Sequence, residues 1–107
     1  MLTKSKRLRA AEVEQVMKTG KSARSAHLQV KFVSSSASLR SAAVVPKSLA
    51  RKATARNALR RALYRAIAGQ KTTDIKGNAV FFVRVIPKDK STATFTEELM
   101  QLLPKLS

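Results

Sequence analysis

The sequence predicts a mixed α/β (α+β) two-layer sandwich in which helices cover a small sheet, in the order helix, strand, strand, helix, strand, helix. Three observations predict it. Apolar residues recur at helical spacing near the start, in the middle and at the end of the chain. Between those segments lie one alternating stretch and one nearly continuous apolar stretch, each of strand length. Glycines and prolines punctuate the boundaries. A chain of 107 residues is enough for one compact domain, taken as residues 1–107, and too short for two.

Ala10 to Lys18 reads as a short helix, with Val13, Val16 and Met17 on one face and Gly20 just past its last turn. His27 to Val33 alternates: Leu28, Val30 and Phe32 point one way, His27, Gln29 and Lys31 the other, as in a half-buried strand. The run Ser34 to Ser38 reads as a turn, and Leu39 to Val45 as a second strand that pairs with the first in a hairpin and stops at Pro46. A basic connector, Lys47 to Thr54, leads into the longest helix, which starts at Thr54 or beside it and ends at Gly69. There Leu59, Ala62, Leu63, Ala66 and Ile67 cluster on one face at about 100° per residue. Asp74 to Asn78 reads as a loop. Ala79 to Ile86 is a strand apolar on both faces, interrupted by Arg84 alone and closed by Pro87, as expected of a central strand. Thr94-Phe95-Thr96-Glu97 fits a capping box opening a last helix, with Glu97 and Glu98 in its first turn.

Charge sets the function class. Twenty-two Lys and Arg face six Asp and Glu, a formal net charge of +16 and a pI near 11.5. At most six basic side chains can pair internally, and the rest repel one another unless a polyanion meets them. That balance is the footprint of a nucleic-acid binder. No apolar run reaches the roughly 18 residues of a membrane span. No signal core follows the basic N-terminus, and Trp is absent from the face a membrane-surface helix would need. The expectation is a cytoplasmic protein with no membrane partner. With no cysteine there is no thiolate site or cysteine nucleophile. The six carboxylates are scattered, and the single His27 has no His, Cys or carboxylate near it in sequence, so neither a catalytic residue nor a protein metal site is expected. His27 reads as an exposed polar strand residue, with a base contact as the alternative.

The strongest constellation runs from Lys52 to Arg65. Arg56 and Arg60 are one helical step apart, Arg61 and Arg65 repeat that step, and Asn57 adds an amide, with no acid among them. A guanidinium grips phosphate through a planar fork of donors that stays charged. Solvated helix faces usually mix Glu with Lys, and this one does not.

At these residues the sequence resembles the protein subunit of bacterial ribonuclease P, whose RNR motif is similar to Arg56-Asn57-x-x-Arg60-Arg61-x-x-x-Arg65. The likeness extends to the basic N-terminus, the short helix, the Val44-Val45-Pro46-Lys47 segment, the apolar strand and the last helix. The resemblance implies a left-handed crossover like that of the second domain of a small-subunit ribosomal protein. It implies a catalytic RNA partner that removes the 5′ leader of precursor tRNA with magnesium ions, bound mainly by the RNA. Arg56, Asn57, Arg60, Arg61 and Arg65 would contact that RNA, supported by Lys47, Arg51 and Lys52, with Lys6, Arg7 and Arg9 near the same surface. The single-stranded leader would lie in a cleft between the first helix and the sheet, at Val13, Met17, His27 and Lys31. The family commonly has a third basic residue where Ala58 stands, an acidic residue where Ala66 stands, and aromatics in the cleft, so this cleft is expected to rely on charge. Two other readings use the same residues. A ribosomal protein of this fold would sediment with ribosomes, and a DNA reader would place the long helix in the major groove. Its arginines offer little base-edge vocabulary for the latter, so no DNA partner is expected.

Overall fold

A computed structural model of the protein describes residues 7–70, 75–88 and 91–106. The elements are α1 (Ala10–Thr19), β1 (Lys21–Arg24), β2 (Leu28–Ser38), β3 (Arg40–Val44), α2 (Ala53–Ala68), β4 (Lys76–Val83) and α3 (Ser91–Leu102), followed by a 3-10 turn at Leu103–Leu106. They follow the expected α+β order with one strand added. That strand, β1, carries Lys, Ser, Ala and Arg, a set without the apolar alternation that announces a strand.

The four strands lie in the order β1-β2-β4-β3. β4 pairs with β2 antiparallel and with β3 parallel, so the expected hairpin between β2 and β3 does not form. β4, apolar on both faces, takes the central place and separates them. The parallel pair β3–β4 is joined through α2, which makes β3–α2–β4 the crossover unit. The serine run does not turn the chain. It continues β2 to Ser38, and the pairing with β4 jumps from Ser34↔Gly77 to Ser38↔Lys76, which leaves the residues between bulged out. Gly77 sits opposite the bulge at φ +141, and a Cβ there would lie 2.2 Å from the Val33 carbonyl oxygen. Only glycine fits that position. The expected loop therefore gives way to β4 from Lys76, while Lys71 to Asp74 fall outside the described residues. At its other end β4 stops at Val83, so Arg84 is the first residue beyond the strand.

Alternation divides the sheet's side chains between two cores. Leu28, Val30 and Phe32 of β2 and Ala79, Phe81 and Val83 of β4 face α2 and α3, where they meet Leu59, Leu63, Ala66, Ile67, Phe95, Leu99 and Leu102. This is the face that the sequence assigned to the core. On the other face Ala42 and Val80 pack with Val16 of α1, flanked by Leu8, Val13, Val33, Val44 and Phe82. Among the described residues α1 covers only part of that face.

The ends of α1 are held locally. The Arg9 N–H donates to Glu12 Oε1 at 3.0 Å, and the Gly20 N–H caps the last turn on the Val16 carbonyl at 2.7 Å. Gly20 has extended backbone (φ −73, ψ 149), so its requirement for glycine comes from crowding. A Cβ would lie 2.5 Å from the Val16 oxygen. The last helix begins three residues before Thr94, so the expected capping box lies inside it, and Glu98 is buried rather than in a solvated first turn.

Candidate nucleic-acid interface

α2 sorts its residues as its period requires. Leu59, Leu63, Ala66 and Ile67 are buried, while Asn57, Arg60, Arg61 and Arg65 are exposed on the far side. Tyr64 stands between the two faces and accepts the Ala43 N–H on its hydroxyl at 3.2 Å, which bolts α2 to β3. Its ring carries the Arg7 guanidinium at 4.6 Å, a cation–π contact.

Arg7 reaches that ring because the segment before α1 runs along the β3 edge. Arg7 bridges to Ser41 in parallel, and the Leu8 N–H donates to the Ser41 carbonyl at 2.9 Å. Arg40 of β3 fixes the same segment, with Nη2 on the Arg7 carbonyl at 3.0 Å and Nη1 paired with Glu12 Oε2. The Arg9 N–H does most to hold the Glu12 carboxyl below the usual carboxylate range, helped by Arg40 against the opposing pull of burial. The outcome is a hollow of about 230 Å³ lined by Arg7, Asn57, Arg60, Arg61 and Tyr64. Three arginines and an amide converge there, with no acid among the described residues that line it.

The structure thus brings Arg7, Asn57, Arg60 and Arg61 together. Arg65 is exposed further along the same helix, and Lys47, Arg51 and Lys52 are exposed on the connector that leads into it. Arg9 is exposed at the N-cap of α1. Lys6 lies outside the described residues. Arg56 does a different job: half-buried, it puts Nη1 on the carbonyls of Ala50 at 3.0 Å and Arg51 at 2.8 Å. It holds the connector against the start of α2.

That connector also borders a second concavity, a cleft of about 480 Å³ on the α1 face of the sheet. Met17, Gln29, Lys31, Pro46, Ser48, Leu49, Phe82, Val83 and Arg84 line it. Of the four residues expected in a cleft here, Met17 and Lys31 line it, and the Lys31 Nζ donates to the Met17 carbonyl at 3.0 Å. Val13 packs against Val16 and Val80 instead. His27 does not line the cleft. Phe82 and Arg84 do, and no local sequence pattern signals either. Phe82 supplies an aromatic face where the sequence led us to expect none, because alternation along β4 turns Phe81 into the core and Phe82 out of it.

His27 has a carboxylate partner 71 residues away: its Nδ1 lies 2.5 Å from Glu98 Oε2, and its backbone N–H donates to Glu98 Oε1 at 2.6 Å. The Ser25 hydroxyl donates to the same carboxylate. Burial pushes the Glu98 carboxyl up, but Ser25, the His27 N–H and the His27 ring outweigh it, and it titrates below the usual range. The reading of His27 as an exposed polar residue is therefore corrected, since it is half-buried and tied to α3. Among the described residues no three His, Cys, Asp or Glu side chains converge to hold a metal ion, and no helix is long and apolar enough to cross a membrane.

A basic helix face and an open cleft, joined by one basic connector on a four-stranded sheet, define the class: a small polycationic α+β protein shaped to meet nucleic acid. The chain belongs to the ribonuclease P protein family, whose model, described as ribonuclease P, matches residues 2–107. The RNase P protein from Thermotoga maritima is 28% identical, with a TM-score of 0.76 over 94% of this chain and 97% of that one. The RNase P protein from Staphylococcus aureus has the same fold at 23% identity, with a TM-score of 0.77 over 95% of each chain. No curated protein sequence matches the chain significantly. Membership carries a role in ribonuclease P and tRNA processing, and decides at family level against the ribosomal reading.

Proposed function

We infer that this chain is the protein subunit of a cytoplasmic ribonuclease P, and that it binds the catalytic RNA through α2 while holding the 5′ leader of precursor tRNA in the cleft. The observation that carries this reading is the convergence of Arg7, Asn57, Arg60 and Arg61 on one hollow with no acid among its described lining residues, on the helix led into by the connector that also walls the cleft. Guanidinium groups, which stay charged, screen the repulsion between two RNAs as they approach. Arg65, Lys47, Arg51, Lys52 and Arg9 extend the same positive surface, and Arg56 positions the connector within it.

In the cleft, Phe82 offers a stacking face to an unpaired leader base, with Met17 beside it, while Lys31 and Arg84 face the backbone phosphates. Base–aromatic stacking is worth about 1–3 kcal/mol per base. Val13 and His27 support the cleft from outside it. The bond chemistry belongs to the RNA and the magnesium ions it holds, and the protein's part is to position and to neutralise. Reconstitution tests this. The protein alone leaves precursor tRNA intact. With the cognate catalytic RNA at low magnesium it restores accurate 5′ cleavage, and Phe82→Ala weakens binding of substrates that carry a leader. A catalytic RNA whose cleavage is unchanged by the protein at every magnesium concentration rules the reading out.

A further inference from the structure

Glu98 is one of only six acids in a chain of net charge +16, and it is buried with 6% of its surface exposed. Burying a carboxylate is costly unless donors surround it. Among the described residues its donors come from the β1–β2 turn. Oε1 takes the Ser25 hydroxyl and the His27 N–H, and Oε2 takes the His27 ring. The Ser25 oxygen in turn accepts the Leu28 N–H at 3.3 Å. So α3 grips this turn through a single carboxylate.

What the turn holds in its turn is Arg84. Beyond Val83 the β4 ladder has ended, yet the Arg84 N–H donates to the His27 carbonyl at 2.6 Å and the Val85 N–H to the same oxygen at 3.3 Å. The Arg84 Nη1 donates to the Ser25 carbonyl at 3.2 Å. Backbone and guanidinium are both fixed to the two residues that Glu98 holds. The guanidinium has five N–H donors, and this bond occupies one. Arg84 is exposed and lines the cleft alongside Lys31 and Phe82.

We propose that Glu98 is a positioning residue for the RNA leader, acting through Ser25 and His27 to hold Arg84 at the cleft, where its guanidinium binds a leader phosphate. The proposal rests on the reading of the cleft as the leader site. Arg84 is the contact and Glu98 never touches the substrate. With the proton on His27 Nδ1, the carboxylate accepts the Ser25 hydroxyl, the His27 N–H and the His27 ring together and so restrains the turn.

The test uses protein reconstituted with the catalytic RNA and two precursor tRNAs, one with a leader long enough to thread the cleft and one with a single leader nucleotide. Arg84→Ala should weaken binding of the long-leader substrate about five- to tenfold, as expected for one charge-assisted contact, and leave the single-nucleotide substrate unchanged. Glu98→Gln should reproduce a loss confined to the long leader. Combining the two should cost no more than Arg84→Ala alone, because groups that act through one another do not add. Additive losses, or losses equal for both substrates, overturn the proposal, since a merely structural clamp would weaken both alike and would still do so without Arg84. Phe82→Ala separates the two levels. If it discriminates between the leaders and Arg84→Ala does not, only the proposal fails, whereas if neither does, the reading of the cleft fails with it.

Discussion

Replacing Arg60 and Arg61 together with Ala removes two exposed guanidinium groups from α2 that have no acid partner among the described residues. If each engages one phosphate, each releases counterions on binding, and log K falls with log salt by about 0.9 per contact on duplex-like RNA. The double variant should therefore show a slope shallower by about 1.8. Over a fourfold rise in salt the wild-type protein should lose about tenfold more affinity than the variant. Titrating the catalytic RNA with protein across a salt series measures this directly. Thermal unfolding should be unchanged or slightly raised, because removing two like charges relieves self-repulsion. An unchanged slope at full folding would show that these arginines are not at the interface. A slope change accompanied by unfolding would instead implicate the fold.

Three further outcomes follow from the packing. Gly20→Ala forces a Cβ to 2.5 Å from the Val16 carbonyl oxygen and should cost about 1–3 kcal/mol in urea unfolding, although its backbone angles suit any residue. Leu63→Ala empties a fully buried site between α2 and the sheet and should cost about 2–5 kcal/mol. Glu98 titrates below its unfolded value, so the unfolded chain binds its proton more readily. The stability it contributes is fully present above the unfolded carboxylate range and is lost as pH falls through the lower folded value. Glu98→Gln should flatten this part of the acid limb in chemical denaturation across pH, and an unchanged limb would refute the assignment.

How much was legible follows from where each signal resides. The apolar stripe of α2, the alternation of β2 and the two-faced run of β4 are short-range patterns, and the structure keeps them. The expected hairpin does not form because pairing is decided not by the nearness of two strands in sequence but by β4, some forty residues on in the chain, with apolar side chains for both faces. β1 has no apolar pattern and is a strand because β2 offers it an edge. The RNR-type helix was visible from its arginines, but nothing local announces that Tyr64 carries Arg7 or that Arg56 turns back to the connector.

The sequence by itself determined that the chain is a polycation, that one acid-free helix concentrates the charge, and which face of that helix is buried. Those properties depend on composition and on residues within a turn or two of one another. Only the tertiary structure decided that Phe82 rather than an α1 aromatic faces the cleft, that Arg7 joins Arg60 and Arg61 in one hollow, and that Glu98 reaches His27 across 71 residues. Such contacts depend on which strand takes the centre of the sheet and on how the helices seat against it. That choice comes from burying both faces of β4 at once, a long-range condition that no local window of residues contains.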